Sequence, residues 1–378
     1  VNILIVFSQP WAVGGAETHV TDLAKVLVKN SHTVYLAVHK NPSPQLQGIA
    51  KQQFICNFRS ANPLAYFTLA RQIAGIVKQN GIDIIHAHQR TSGYLAAYVK
   101  YVTKVPFVVT IHDPWNRAYG KKLHAKIYDH IITVSDFLRD RFITEFGFSP
   151  QKVHTIHNGA DQERYNPANY DPLELDNMRK KLKISPETKI ISLIARLYKS
   201  KGQQYLIEAA PAILEHVPQA RFLLVGDGPH EPLLRQRIHA LGLADHFIFS
   251  GYRQDIPELI AISDIVVRPS EMEGLPINVI EAMLMAKPVI ASRIAGVPEM
   301  IEHEVNGLMI SVGDVDALAK HIVSVLTDDS KRLAIGEAAR STALAKFSME
   351  SCVAKTVALY YDLISHAKPK HGRSEVRI

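Results

Sequence analysis

The strongest constraint on this chain is a repeating pattern of short, almost uninterrupted apolar runs, each followed by a helix-length stretch. IDIIHAH, PFVVTIH, IISLIA and RFLLVG show it most plainly. A strand apolar on both faces must be covered on both faces, the situation of parallel strands flanked by helices. In the first half the runs fall at Asn2–Ser8, Thr33–His39, Ile82–His88, Pro106–His112, His130–Ser135 and Val153–His157. In the second half they fall at Lys189–Arg196, Ala220–Gly226, His246–Gly251, Asp264–Ser270, Pro288–Ser292 and Gly307–Ser311. Strand–helix alternation twice over predicts an α/β protein with two open, doubly wound sheets. A length of 378 residues suits two such domains better than one. The boundary is expected in DQERYNPANYDPLELDN (161–177), rich in Pro, Asn and Asp and without periodicity. This gives a first domain over 1–165 and a second over 166–354. A last helical stretch, Met349–Ser365, ends the ordered chain, and the polar HAKPKHGRSEVRI after it reads as a frayed tail, flexible over 368–378.

A hydrophobic content of 47% with 21% charged residues is that of a soluble globular chain. No run approaches the eighteen apolar residues a membrane-crossing helix needs. The chain opens on the strand-like NILIVFS with no basic segment or small-residue cleavage site, so a secretory signal is not expected. Residue 1 is valine, which leaves the completeness of the start open. Cys56 and Cys352 are far apart and form no metal spacing, so reduced thiols and a cytoplasmic setting are expected. Charge is uneven: residues 1–165 carry 18 Lys and Arg against 10 Asp and Glu, while 166–365 carry 21 against 25. The basic half is either solvated surface or a face that meets an anionic acceptor or the inner membrane leaflet. The segment 119–132, with Lys121, Lys122 and Lys126, is the local candidate for such a peripheral contact. No nucleic-acid-binding motif accompanies the charge, so nucleic acid is not an expected partner.

In an open α/β sheet, ligands bind outside the carboxyl ends of the strands, so the residues just past each strand decide the chemistry. After the first comes Gly14-Gly15, opening a helix whose N–H groups can face a phosphate or sugar. The pattern is not GxGxxG, which argues against a dinucleotide-binding dehydrogenase. PFVVTIH ends at His112-Asp113-Pro114, putting an imidazole at a strand's carboxyl edge. His86 and His88 lie two apart on one face; with no third ligand in view they read as packing or substrate-facing histidines rather than a metal pair. Arg196 and Lys201 come after the first strand of the second half and can neutralise a diphosphate, Arg as a planar fork and Lys as a point charge. Gly226, Asp227, Gly228 and Pro229 make a tight strand-to-helix loop, and the backbone at Tyr252 and Arg253 reaches the rim where a nucleobase edge can be read. RPSEMEGLPINVIEAM is the most informative segment. Glu273 stands in a loop before Gly274-Leu275-Pro276, with Pro276 expected at the first helical position and the free N–H groups behind it facing a phosphate. Glu281 comes on the second turn. Glu273 can accept from sugar hydroxyls and Glu281 from a ribose diol; unpaired carboxylates in so apolar a stretch would be costly.

In order along the chain stand GGAE, His112-Asp113, HNGAD (157–161), the R-x4-K of 196–201, GDGP (226–229), the E-x7-E of 273–281, SRIAGVPEMI (292–301) and NGLMI (306–310). Together they resemble the family-4, group 1 retaining glycosyltransferases over nearly the whole chain. That resemblance implies the GT-B fold, two Rossmann-like domains facing across a cleft, with a final helix (about 355–367) crossing back onto the first. It implies Arg196 and Lys201 as the diphosphate clamp, Glu273 as the donor-sugar contact, Glu281 as the ribose contact and His112 beside the reacting sugar. Gly14, Gly15, Asn158, Gly226, Gly228, Tyr252, Arg253, Gly274, Leu275 and Pro276 complete the expected donor site. Ala295 departs from a second glycine common before Gly296. The implied chemistry is transfer of a hexosyl or N-acetylhexosaminyl group from a nucleotide-sugar, UDP-linked by preference with GDP-mannose as the alternative, to a glycan or lipid-linked acceptor of the cell envelope. No metal or other cofactor is expected: the one Asp-x-Asp, Asp314/Asp316, reads as a helix cap. A nucleotide-sugar epimerase and a non-catalytic binding homologue are the rival readings. The oligomeric state is not legible.

Overall fold

The computed structural model describes residues 1–10, 14–58, 63–115 and 121–367, with backbone only at 9, 10, 63, 64, 121 and 122. The side chains of Lys121 and Lys122 and the expected tail 368–378 lie outside the described residues. The chain divides into two units. The first takes Val1–Val134, Arg139–Ile156 and the last helix from Cys352; the second takes Ser135–Leu138 and His157–Ser351.

Among the described residues the first unit holds β1 (Asn2–Pro10), β2 (Thr33–His39), β3 (Gln52–Cys56), β4 (Ile84–His88), β5 (Phe107–Ile111), β6 (Ile131–Thr133) and β7 (Val153–Thr155). The second holds β8 (Lys189–Ile194), β9 (Ala220–Val225), β10 (Phe247–Gly251), β11 (Ile265–Arg268), β12 (Val289–Ser292) and β13 (Leu308–Ile310). All pairings between them are parallel, in the orders β3-β2-β1-β4-β5-β6-β7 and β10-β9-β8-β11-β12-β13. Each sheet therefore starts mid-sheet, grows one way for three strands, and then reverses. The reversal points, between β1 and β4 and between β8 and β11, are where adjacent loops leave in opposite directions and open a crevice.

Twelve of these strands match the apolar runs of the sequence, most of them trimmed at their ends, while β1 runs two residues longer. The thirteenth, β3, is not marked by such a run. It is QQFIC, an edge strand paired only with β2, with one buried residue of five, and so lacks the pattern of a strand covered on both faces. The Pro- and Asn-rich segment 161–177 lies in the second unit, tied there by Tyr165, whose hydroxyl donates to Glu281. Asp171 caps the helix Pro172–Lys181. As the sequence implies, Asp314 is a cap: its side chain accepts from the N–H of Ala317.

The two cores are built alike, from strand residues and the facing helix stripes: Val6, Ile85, Val109, Leu95 and Ile73 in the first, Leu193, Leu224, Val267, Leu206 and Ile322 in the second. One polar network runs through the first. The His86 ring on β4 hydrogen-bonds the Tyr360 hydroxyl through Nδ1 (2.5 Å) and the Thr110 hydroxyl through Nε2 (2.6 Å). Tyr360 is fully buried on the helix Met349–Ala367, so this network docks the last helix on the first sheet. Burial, with His19 beside it, pushes the His86 imidazole down to about 3 from its ordinary 6.5.

A histidine held neutral when folded but free to protonate when unfolded stabilises the fold above pH 6.5 and loses that contribution as pH falls toward 3. Between those limits each unit of acidification costs about 1.4 kcal/mol for such a group. Melting temperatures taken from pH 7.5 to 5 should fall more steeply for the native chain than for His86→Gln, which keeps a hydrogen-bonding side chain that does not titrate. Parallel slopes would remove His86 as the cause.

Candidate active site

The second unit's reversal point brings together the loops after β8 and β11. Lys201 ends the single turn Lys199–Lys201, and Gly202 after it takes φ 78, a left-handed conformation that favours glycine. A Cβ at Gly202 would stand 1.9 Å from the Pro269 carbonyl oxygen, so the Lys201 loop lies directly on the backbone of the β11 loop. The Glu271 N–H donates to Ser200 O (2.9 Å), and the Glu271 carboxylate accepts from the Tyr205 hydroxyl (2.8 Å) and Gln204 Nε2 (3.2 Å). These bonds pin the two loops to each other.

Within that frame Lys201 Nζ lies 3.0 Å from Glu273 Oε1. The two residues the sequence assigned to diphosphate and sugar thus form one ion pair. A third member, which the sequence reading missed, is Arg268 at the end of β11. Its Nε and Nη2 lie 2.9 and 2.6 Å from the same Oε1, and its Nη1 donates to Ile194 O at 3.0 Å. Glu273 is buried, which disfavours its charge, but Arg268 and Lys201 overcome that and hold the carboxyl below its ordinary range. The signal available in the sequence was a charged residue closing the apolar run DIVVR: a buried guanidinium needs a partner.

Arg196, just past β8, is exposed, with its guanidinium 5.2 Å from the centre of the Tyr198 ring. The loop after β9 supports it from below. Leu197 N–H donates to Asp227 O (2.7 Å), and Gly226, at φ 128, would bring a Cβ to 2.2 Å from Ala195 O. Gly228 lies against Leu197 in the same loop. The Gly226 N–H reaches Gly251 O (2.8 Å), joining this loop to the one that carries Tyr252 and Arg253. Tyr252 is exposed; the Arg253 side chain is taken up by Asp255, with Nε 2.7 Å from Oδ1.

The segment after Glu273 corrects one expectation. Pro276 is not the first helical residue: with ψ 116 it is still extended, and the helix Ile277–Leu284 begins one residue later. Gly274 O accepts from Gly296 N–H (3.0 Å), and Leu275 O accepts from Asn158 Nδ2 (2.8 Å), so both are fixed from outside the loop. Asn158 is buried with its Oδ1 unpartnered among the described residues. Glu281 is buried on the second turn and accepts from the Tyr165 hydroxyl at 2.7 Å through Oε1. Ala295 takes φ 44, a region where a side chain costs about 1–2 kcal/mol.

His112, Gly14 and Gly15 belong to the first unit. Gly14 precedes the helix Gly15–Lys29, which carries Glu17 in its first turn. At the reversal point of this sheet His88 Nδ1 lies 3.0 Å from His112 Nε2, with His19 packed on both rings. Burial lowers the pKa of all three, that of His112 to about 3, so they are neutral. One ring nitrogen from each lies within 4.8 Å of the others, so His19, His88 and His112 are a group that could hold a metal ion. The sequence suggested no third ligand for His86 and His88; in the fold His19, on the helix Gly15–Lys29, and His112, just past β5, come up beside His88, which spacing alone does not reveal. A second group, Asp136, His157 and Glu299, has its Glu299 oxygens accepting from the N–H groups of Asp136 and Phe137 (2.9 and 3.0 Å) and paired with His157 Nε2 (2.7 Å).

Two family models match this chain: "Glycosyltransferase Family 4" over residues 13–164 and "Glycosyl transferases group 1" over 175–342. EpsD of Bacillus subtilis (strain 168), which bears a glycosyltransferase name, is 30% identical over 77% of this chain and 79% of its own. The UDP-Gal:alpha-D-GlcNAc-diphosphoundecaprenol alpha-1,3-galactosyltransferase of Escherichia coli is 26% identical over 89% of this chain and 99% of its own. Among solved structures, Anabaena Alr3699/HepE in complex with UDP-glucose superposes with a TM-score of 0.81 at 25% identity, covering 95% of this chain and 99% of that one. With the two reversed parallel sheets and the E-x7-E loop in place, the chain belongs to family 4 of the group 1 glycosyltransferases and has their GT-B fold.

Proposed function

We propose that this glycosyltransferase moves a hexosyl or N-acetylhexosaminyl group from a UDP-sugar to a glycan or lipid-linked acceptor, with retention and without a metal ion. The observation that carries the reading is the Lys201–Glu273 pair at the reversal point of the second sheet, on the loops after β8 and β11. Arg196 and Lys201 take the diphosphate, whose charge grows as the glycosidic bond breaks. Glu273 receives the sugar hydroxyls and Glu281 the ribose. Fixed charges aimed at a developing charge need no reorganisation during reaction, and losing one typically costs about 10²–10³ in rate.

In the step itself the anomeric carbon–phosphate oxygen bond breaks while the acceptor oxygen bonds to the same face of that carbon. The departing phosphate oxygen accepts the acceptor's proton, so no protein nucleophile enters. Metal independence is supported by the two cations and by Asp314, which is used as a helix cap. UDP is favoured because HepE was solved with UDP-glucose and the E. coli relative is named for UDP-galactose and a lipid diphosphate. An anionic or membrane-borne acceptor suits the basic first half, where Lys104 and Lys126 and the apolar Tyr101 and Leu123 are exposed. No helix among the described residues is long and apolar enough to cross a membrane.

Nucleotide release measured over UDP-, GDP- and ADP-sugars, with and without membrane extract, should be greatest with a UDP-sugar plus extract and should persist in EDTA. Lys201→Ala and Glu273→Ala should each lower transfer by about 10²–10³. Full activity in both variants would refute the site. The product's anomeric configuration, read by NMR, should match the donor's; inversion would refute the mechanism.

A further inference from the structure

The Glu273 carboxylate has more positive charge on one oxygen than an ion pair needs. Arg268 Nε and Nη2 and Lys201 Nζ all converge on Oε1. The two cations differ in how they are held. The Arg268 side chain is 7% exposed and its third nitrogen is bonded to Ile194 O, which also accepts from Asn278 Nδ2 at 2.5 Å. The Lys201 side chain is 18% exposed and sits on a one-turn loop. Arg268, the last residue of β11, is thus tied to the end of β8, while Lys201 is a point charge on a flexible, half-buried stem.

We infer that Arg268 is a positioning residue: it is the standing counter-ion of Glu273, and by holding the carboxylate it lets Lys201 turn to the donor's diphosphate. This rests on the reading of Glu273 and Lys201 as donor contacts. If Lys201 were the only cation on Glu273, moving it to the diphosphate would strand a buried carboxylate, a state avoided by protonation or by keeping Lys201 where it is. With Arg268 in place, Glu273 stays ionised and oriented as Lys201 leaves. Arg268 beside it holds the Glu273 carboxyl below its ordinary range, so removing the arginine lets burial raise it.

The test compares Arg268→Leu and Arg268→Lys with the native enzyme, following kcat, donor KM and the pH profile of kcat/KM. Arg268→Leu should lower kcat by about 10²-fold. It should also move the acid limb of the profile to higher pH, since the buried carboxyl loses the larger of the two cations that keep it ionised. Arg268→Lys keeps the charge but not the fork, and should return the limb to its native position while recovering only part of kcat. A packing role alone would change the melting temperature without moving the limb. An unmoved limb and unchanged kcat in Arg268→Leu, with Lys201→Ala and Glu273→Ala impaired, would overturn this inference alone. Unimpaired Lys201→Ala and Glu273→Ala would instead remove the site on which it rests. Should Arg268→Leu fail to fold, Arg268→Lys decides: native kcat, or a limb shifted as though the charge were gone, would overturn it.

Discussion

The reversal of strand order between β8 and β11 is the constraint on which the donor site depends. Because the chain passes from β8 to β9 on one side while β11 lies on the other, the loops leaving these two neighbours diverge, and their carboxyl ends stay uncovered by either crossover helix. Gly202 lets the β8 loop lie flat on Pro269, and Glu271 holds it there through its bonds to Ser200, Tyr205 and Gln204. Only in that arrangement do a lysine and an arginine from two different loops share one oxygen atom of a glutamate.

The two reversal points carry opposite electrostatics. In the second unit an ionised carboxylate is surrounded by cations, and burial is outweighed by pairing. In the first, His19, His86, His88 and His112 lie ring against ring with neighbours that oppose their charging, and burial wins. The first presents neutral rings; the second presents fixed charge. This division comes from the side chains that each pair of strands happens to end on, since the two sheets are otherwise laid out alike.

Legibility in the sequence obeys the same physics. Strands covered on both faces announce themselves as apolar runs, which is why β8 and β9 are readable, and why β3, an edge strand with two glutamines, is not. Lys201 and Glu273 are legible because loops at strand ends are where charges have a reason to be. Arg268 is not, because it closes a strand that reads as core, and its partner is five residues on across a turn whose shape the sequence does not give. Tyr165 is hidden in a segment that reads as linker, although it holds Glu281. The histidine cluster needs the helix Gly15–Lys29, the end of β4 and the residue after β5 to meet, and spacing along the chain contains no trace of that meeting.

Glu273 is proposed to read the sugar and not the nucleotide. Calorimetric titration of UDP and of a UDP-sugar into the native enzyme and Glu273→Gln tests it most directly. The variant should bind the UDP-sugar more weakly while its affinity for UDP alone is unchanged. Equal weakening of both ligands, or of neither, would contradict it.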